Sequence, residues 1–271
     1  MQLIHEGTIT ESNLFHPESI SPDWLLSTHD PYYVSRLDAL TLTPAEIRRT
    51  GFPLSDSVVK REKVIVKGTL LATHFAMEYG ISMNIAGGTH HAFTNRGEGF
   101  CLFNDQAIAA NYLLQQGFAK KILIVDLDVH QGNGTAEIFR NEERVFTFSM
   151  HGANNYPMIK EESDLDIGLP DGTADNAYLA LLDTNLKALL DSVEPDFIFF
   201  QAGVDILDTD KLGKLKVTRQ GCRQRDKLVL SLARQNRIPI VATMGGGYSP
   251  NFNDIIEAHA NTFRLAQDIF F

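Results

Sequence analysis

The sequence predicts an α/β fold: one open, mainly parallel sheet with helices on both faces. Three observations predict the architecture. From residue 55 onward, short continuous apolar runs alternate with longer stretches whose apolar residues recur at helical spacing, as in a sheet buried on both sides. Five clusters of polar, chemistry-bearing residues follow those runs, at the carboxyl ends of strands where open α/β sheets and α/β barrels place their sites. The 271 residues contain no evident linker, internal repeat or low-complexity segment, so residues 1–271 read as a single domain long enough to bury its own core.

The elements follow in chain order. The first 54 residues are the least regular, because His16-Pro17, Ser21-Pro22, Asp30-Pro31 and Thr43-Pro44 divide them into short pieces. Residues 55–80 predict a long helix with Val59, Val66, Leu70 and Met77 on one stripe and Gly80 as its stop. Residues 81–86 predict a strand. Asn104 can cap a helix running to Gly117. Residues 121–127 (KILIVDL) and 144–150 predict strands, with a short helix near 135–139 between them. Leu179, Leu182, Leu186 and Leu189 mark a helix over 174–193, followed by a strand over 196–202 (DFIFFQA). A helix over 218–236, a strand over 238–243 (IPIVAT) and a helix over 250–267 complete the chain.

Composition narrows the function. At 44% hydrophobic and 21% charged the chain is ordinary for a globular protein. No apolar run reaches the ~18–20 residues of a membrane span, and Met1 to Thr10 lacks the basic and apolar regions of a signal peptide. The two cysteines, Cys101 and Cys222, are too few for a disulfide framework, so a cytoplasmic location is expected. A net charge of −10 argues against direct nucleic-acid binding. It is compatible with a basic peptide substrate. Oligomeric state is not legible.

The chemistry lies in the strand-end clusters. Asp128 and His130, two residues apart, share a face if the strand conformation persists. Alone they read more readily as a pair of polar residues in a surface turn. Asp205, after an apolar strand, supplies a third ligand, and three protein ligands plus water is the catalytic zinc arrangement. The same oxygen-rich set suits iron(II) or manganese. His90 and His91, in GGTHH, are poor joint ligands for one metal but can form a proton-transfer pair. Asp126 and Asn133 are natural acceptors for their ring N–H groups. Tyr248, after three glycines, can donate to a developing oxyanion or simply pack as a ring over a turn. Gly99-Phe100 and Tyr156-Pro157 are candidate pocket walls or ordinary packing.

The motifs GGTHHA, GEGFCLFND, VDLDVHQGNGT, QAGVD and GGGY, in this order and spacing, resemble the histone deacetylase family of zinc hydrolases. DLDVHQGNG and AGVDILDTDKLGKLKVT look most like its class IV branch. The resemblance covers residues 80–260 strongly and the N-terminal part weakly, and it implies one arginase/deacetylase-like α/β domain with an open, mainly parallel sheet. It implies one catalytic Zn2+ on Asp128, His130 and Asp205, with His90 and His91 as the catalytic pair and Tyr248 as the carbonyl-polarising phenol. It implies an acyl-lysine channel lined by Gly99, Phe100, Tyr156, Leu212 and Gly246. It further implies a structural K+ or Na+ beside Asp126, Asp128, His130, Ser149 and Met150. The substrate so implied is an acyl-lysine protein or peptide, with long-chain acyl groups accepted.

The family also implies a first strand and loop ahead of Met1-Gln2-Leu3-Ile4-His5. Without them the sheet is expected to be incomplete and the pocket wider on one side. Other readings are a deacylase of small amides such as acetylpolyamines, a catalytically silent binding module, and a binuclear manganese ureohydrolase of the arginase type. The last needs extra carboxylates, but the run reads Asp128-Val129-His130-Gln131-Gly132 and the pair reads Asp205-Ile206-Leu207.

Overall fold

The computed structural model describes residues 2–271. The chain passes through α1 (Gln2–His5), a 3-10 turn (Glu11–Asn13), α2 (Pro22–Leu26), α3 (Pro31–Asp38), α4 (Pro44–Thr50) and α5 (Asp56–Tyr79). It continues through β1 (Ile81–Asn84), α6 (Asp105–Gln115), β2 (Ile122–Asp126), α7 (Asn133–Phe139), β3 (Val145–Gly152) and β4 (Leu165–Leu169). It ends with α8 (Asp175–Val193), β5 (Phe197–Gln201), α9 (Arg219–Asn236), β6 (Ile240–Thr243) and α10 (Phe252–Phe270). The strands form one sheet in the order β1-β6-β5-β2-β3-β4. Every neighbouring pair is parallel.

Strand composition explains why both faces are covered. Side chains alternate across a strand, and here both sets are apolar. Ile122 and Ile124 of β2 and Phe197 and Phe199 of β5 pack with α5, α6 and the N-terminal helices. Leu123, Val125, Ile198 and Phe200 pack with α8, α9 and α10 on the other face. Each fully buried side chain of this size contributes about 1.5–3 kcal/mol against exposure.

Helix ends follow local chemistry. Ser55 caps α5 by accepting Val58 N–H at 3.3 Å, and Gly80 ends it at φ +89°. Asn104 caps α6 through Ala107 N–H at 3.0 Å, and Thr218 caps α9 through Gly221 N–H at 3.0 Å. In the first 54 residues, Pro22, Pro31 and Pro44 start helices rather than interrupting structure. A proline at the first helical position is pre-set for the helix and forfeits no bond. Met77 leaves the predicted stripe. It is exposed, while Thr73 and Ala76 continue the buried face of α5. β4, a short edge strand of sequence LDIGL, carries too little apolar pattern to be read from sequence.

The connectivity places the site. β2 leads to β3 on one side, and β5 leads to β6 on the other. The chain therefore diverges between the adjacent strands β2 and β5, opening a crevice at their carboxyl ends. β1 occupies one edge and pairs with β6 alone. Beside it, an apolar cavity of about 620 Å³ is walled by Phe15, Val64, Phe75 and Ile81, and among the described residues no histidine, cysteine, aspartate or glutamate lines it. α1 packs on α10, where Arg264 pairs with Glu6 at 2.8 Å and Gln2 bonds Glu257.

Candidate metal centre and active site

Asp126 ends β2, in register with Ser149 of β3 and Gln201 of β5. Asp128 and His130 follow on the next turn, and Asp205 follows β5 across the crevice. One donor atom from each of Asp128, His130 and Asp205 lies within 4.8 Å of the others. His130 Nδ1 is 3.0 Å from Asp128 Oδ1 and 3.1 Å from Asp205 Oδ2. Main-chain amides orient both carboxylates: Gly246 N–H donates to Asp128 Oδ2 at 3.1 Å, and Val129 N–H to Asp205 Oδ1 at 2.9 Å. Each carboxylate thus turns its other oxygen toward the imidazole nitrogen.

The electrostatics of this cluster fit a cation. Burial opposes charge on His130, yet Asp128 and Asp205 outweigh it and push the imidazole up to about 11. Burial and the neighbouring Asp128 charge push Asp205 upward. The point where the three donors meet therefore favours positive charge. A set of one imidazole and two carboxylates there suits a divalent ion such as zinc. Among the described residues this is the one cluster of three such donors. Gln131 instead bonds Glu161 O at 2.7 Å and Asp166 Oδ1 at 2.8 Å, and Leu207 is buried in the core.

The two histidines are buried side by side, ring centroids 4.1 Å apart. His90 Nδ1 lies 2.6 Å from Asp126 Oδ2, and its Nε2 lies 3.9 Å from Asp128 Oδ1. Burial opposes its protonation, but Asp126 and Asp128 raise it to about 9. His91 Nδ1 lies 2.7 Å from Asn133 Oδ1. Burial, with His90 beside it, holds His91 well below the usual imidazole range. His91 is therefore neutral, with Nδ1–H donating to Asn133 and the lone pair on Nε2. The asparagine at position 133 offers His91 a dipole where a carboxylate would have favoured a charge.

The loop carrying both histidines is tied down on all sides. Asp105 accepts Gly88 N–H at 3.0 Å, Thr89 N–H at 2.8 Å and the Thr89 hydroxyl at 2.8 Å. Gln201 Nε2 donates to Gly88 O at 2.8 Å, while its Oε1 accepts from Thr243 Oγ1 at 2.6 Å. His29 accepts Asn104 N–H at Nε2 (3.0 Å) and bonds Phe93 O through Nδ1 (2.9 Å). Glu98 accepts from Asn133 Nδ2 at 3.1 Å and from the Tyr156 hydroxyl. None of these four residues stood out as functional in the sequence. Glu98 and Asp105 lay inside the motif GEGFCLFND and Gln201 opened QAGVD, where it is the lone polar residue of the preceding strand FIFFQ, which was a usable signal.

A cavity of about 820 Å³ opens over this centre. Gly99, Phe100, Tyr156, Leu212, Gly246 and Tyr248 all line it, together with His90, His91 and the three candidate ligands. A Cβ on Gly99 would meet His91 Cδ2 at 2.7 Å, so the wall approaches the imidazole closely only without a side chain. Tyr248 is half exposed, its ring 6.4 Å from that of Phe100. Burial and the Asp205 carboxylate push its phenol upward, so it keeps its proton. Asp126, Ser149 and Met150 are buried beneath the centre, and Ser149 Oγ lies 3.0 Å from His151 Nδ1.

An open parallel sheet with a three-donor centre at its diverging strands, flanked by a histidine pair, defines a hydrolase of the deacetylase type. A family model described as the histone deacetylase domain matches residues 1–263. The chain belongs to the histone deacetylase family. It is 46% identical over 268 residues to an uncharacterized protein of Picosynechococcus sp., covering 99% of this chain and 89% of that one. It is 32% identical over 256 residues to histone deacetylase 2 of Arabidopsis thaliana, covering 91% of this chain and 66% of that protein. The crystal structure of an HDAC homolog complexed with SAHA superposes at TM-score 0.83 and 25% identity, covering 96% of this chain and 74% of the other. An HDAC homolog from Aquifex aeolicus shares the fold at TM-score 0.80 and 24% identity, covering 95% and 74% of the two chains.

Proposed function

We propose that this protein hydrolyses the amide between an acyl group and the side-chain amine of lysine in a protein or peptide, using one zinc ion. The observation that carries the reading is the convergence of Asp128, His130 and Asp205 within 4.8 Å of one another, at a cavity also lined by His90, His91 and Tyr248. Bound there, the ion would supply Lewis acidity to the amide carbonyl and to a water. His91, neutral with a free lone pair on Nε2, takes the water proton as general base. His90, protonated beside Asp126, is the complementary acid for the leaving amine. The Tyr248 hydroxyl donates to the oxyanion as it develops. Asn133 fixes the His91 tautomer and Asp126 favours the protonated form of His90, as these roles need. Products are free lysine and a carboxylate.

The finer readings extend the proposal. The class IV resemblance, with Phe100 and Leu212 half exposed in the channel, supports acceptance of long-chain acyl groups, since each buried methylene contributes about 0.8 kcal/mol. The buried oxygens of Asp126 and Ser149 support a K+ or Na+ beneath the centre. The cytoplasm is the proposed location, with Cys101 and Cys222 both buried and free.

Metal analysis after removal of loosely held ions tests the centre: about one equivalent is expected, and two would favour the ureohydrolase reading. Turnover of acetyl-, octanoyl- and myristoyl-lysine in one peptide tests the reaction and the acyl length together. A steady fall in kcat/KM from acetyl to myristoyl refutes the long-chain preference alone. No turnover of any acyl-lysine refutes the reaction. Tyr248→Phe is expected to lower kcat by ~10²–10³ with metal content unchanged. Near-normal kcat would leave the phenol a packing residue.

A further inference from the structure

The mouth of the cavity has the opposite charge to the protein. The chain carries a net −10, yet Arg48, Arg49, Arg61 and Lys214 all line this cavity. Apart from Asp128 and Asp205, its only acidic lining residue among those described is Glu62. Glu62 is buried and already bonded to Arg61, at 2.6 Å from Nη2 and 3.0 Å from Nε. Nearby carboxylates are likewise engaged. Asp210 accepts the amides of Leu212, Gly213 and Tyr248, and Glu98 faces Asn133 and Tyr156. Three cations are left over. Among the described residues neither Arg48 nor Arg49 has a carboxylate within ion-pair distance, and Lys214 Nζ bonds only the carbonyl of Asn154, at 2.8 Å.

These cations reach the mouth from separate segments. Arg48 and Arg49 close α4, whose end is fixed to the channel wall by Gly99 N–H on Arg49 O at 3.1 Å and Phe100 N–H on Thr50 O at 2.8 Å. Lys214 approaches beside Asn155, whose Nδ2 bonds Leu212 O and whose Oδ1 accepts Lys214 N–H at 3.2 Å. A helix dipole favours a cation in its last turn, but it does not account for two arginines lining the cavity or for the lysine from another loop. Like charges gathered at a concave, partly apolar opening focus a field that attracts the opposite sign.

We propose that the mouth selects acyl-lysine segments with acidic flanking residues and disfavours basic segments and polyamines. The inference rests on the acyl-lysine reading of the site, and it reverses the expectation of a basic peptide drawn from net charge alone. The acylated lysine is itself neutral, so the flanks set the charge that the mouth meets. Arg48, Arg49 and Lys214 then act on encounter and affinity, not on the chemical step.

The test uses zinc-loaded protein and three peptides sharing one acyl-lysine, with aspartate and glutamate, neutral, or lysine and arginine flanks. Dissociation constants are measured on the Tyr248→Phe protein to slow turnover. The acidic peptide is expected to bind about five- to tenfold tighter than the neutral one, and the basic one more weakly still. The gap should narrow between about 0.05 and 0.5 M salt, as the screening length shortens. Charge reversal in R48E/R49E should invert the order. Equal affinities at low salt, or tightest binding of the basic peptide, overturn the inference, and these wild-type-mouth measurements stand even if R48E/R49E does not fold. Turnover of the neutral peptide by the unmutated protein reads the deacylase proposal separately. Should it fail while the affinity order holds, the reaction falls and the anionic selectivity stands.

Discussion

Gly203 decides how closely the ends of β2 and β5 approach. A Cβ at this position would overlap Asp128 Oδ2, so Gly203→Ala must displace the carboxylate from the position in which Gly246 N–H and His130 hold it. At the proposed zinc site we expect metal affinity to fall about 10–100-fold, the cost typical of disturbing what orients a ligand. Competition with a chelator reads this, and unchanged circular dichroism shows that the fold survives. Wild-type affinity would mean that Asp128 re-aims freely. Glu98→Ala removes the acceptor that holds the Asn133 amide with its oxygen toward His91. The His91 ring should then show mixed tautomers by nitrogen NMR, whereas a pure Nδ1–H form would assign Glu98 to Tyr156 alone. At this scale the sequence was most legible where chemistry is carried by unusual residue types. Asp128, His130, Asp205, His90 and His91 announce themselves at strand ends. Glu98, Asp105 and His29 do not, because their importance comes from partners far away in the chain.

Helix α9 fastens the sheet beneath the site. Arg225 is fully buried, with Nη1 2.5 Å from Gly203 O and 3.3 Å from Leu127 O, and Nη2 3.2 Å from Ala202 O. Its charge is balanced by Asp226 at 2.7 Å, which in turn accepts from Thr262 of α10 at 2.7 Å. Arg225→Met leaves Asp226 charged and buried, and removing one partner of such a pair costs about 3–5 kcal/mol. Urea denaturation should show that loss. R225M/D226L should recover only part of it, because the three carbonyls still lack the donor. Full recovery would mean the carbonyls need no cation. The sequence marked α9 through its periodicity, but nothing in RQRDKLVL says that its arginine points inward. The same limit applied to β4, where an edge strand needs few apolar residues, and to the N-terminal prolines. A proline signals a boundary without saying which side of it is helical.

Over the whole molecule, buried neutral histidines set the acid limit. His29 is pushed down to about 4 by burial, against bonds to the Phe93 and Thr94 backbone, while the unfolded chain titrates near the ordinary 6.5. The folded state therefore binds fewer protons in that interval. Its stability is full above about pH 6.5 and falls as pH drops toward 4, by about 2 kcal/mol at pH 5 for this one group. His29→Gln keeps one donor and one acceptor without the titration. Its stability deficit relative to wild type should shrink by that amount between pH 7.5 and 5, and a constant deficit would show that His29 titrates normally. The parallel sheet also has a consequence in time. β2 pairs with β3, near it in the chain, but its other neighbour β5 joins at Ile122↔Phe197, and β1 waits for β6 at Ile81↔Ile240. Pairings this distant form slowly, because long loops must close first. During synthesis Asp128 and His130 leave the ribosome well before Asp205, so the proposed ion would at first meet two ligands of three. Firm capture of that proposed ion would wait for β5 and in refolding should lag behind helix formation, which would make it a clock for the closing of the β2–β5 crevice.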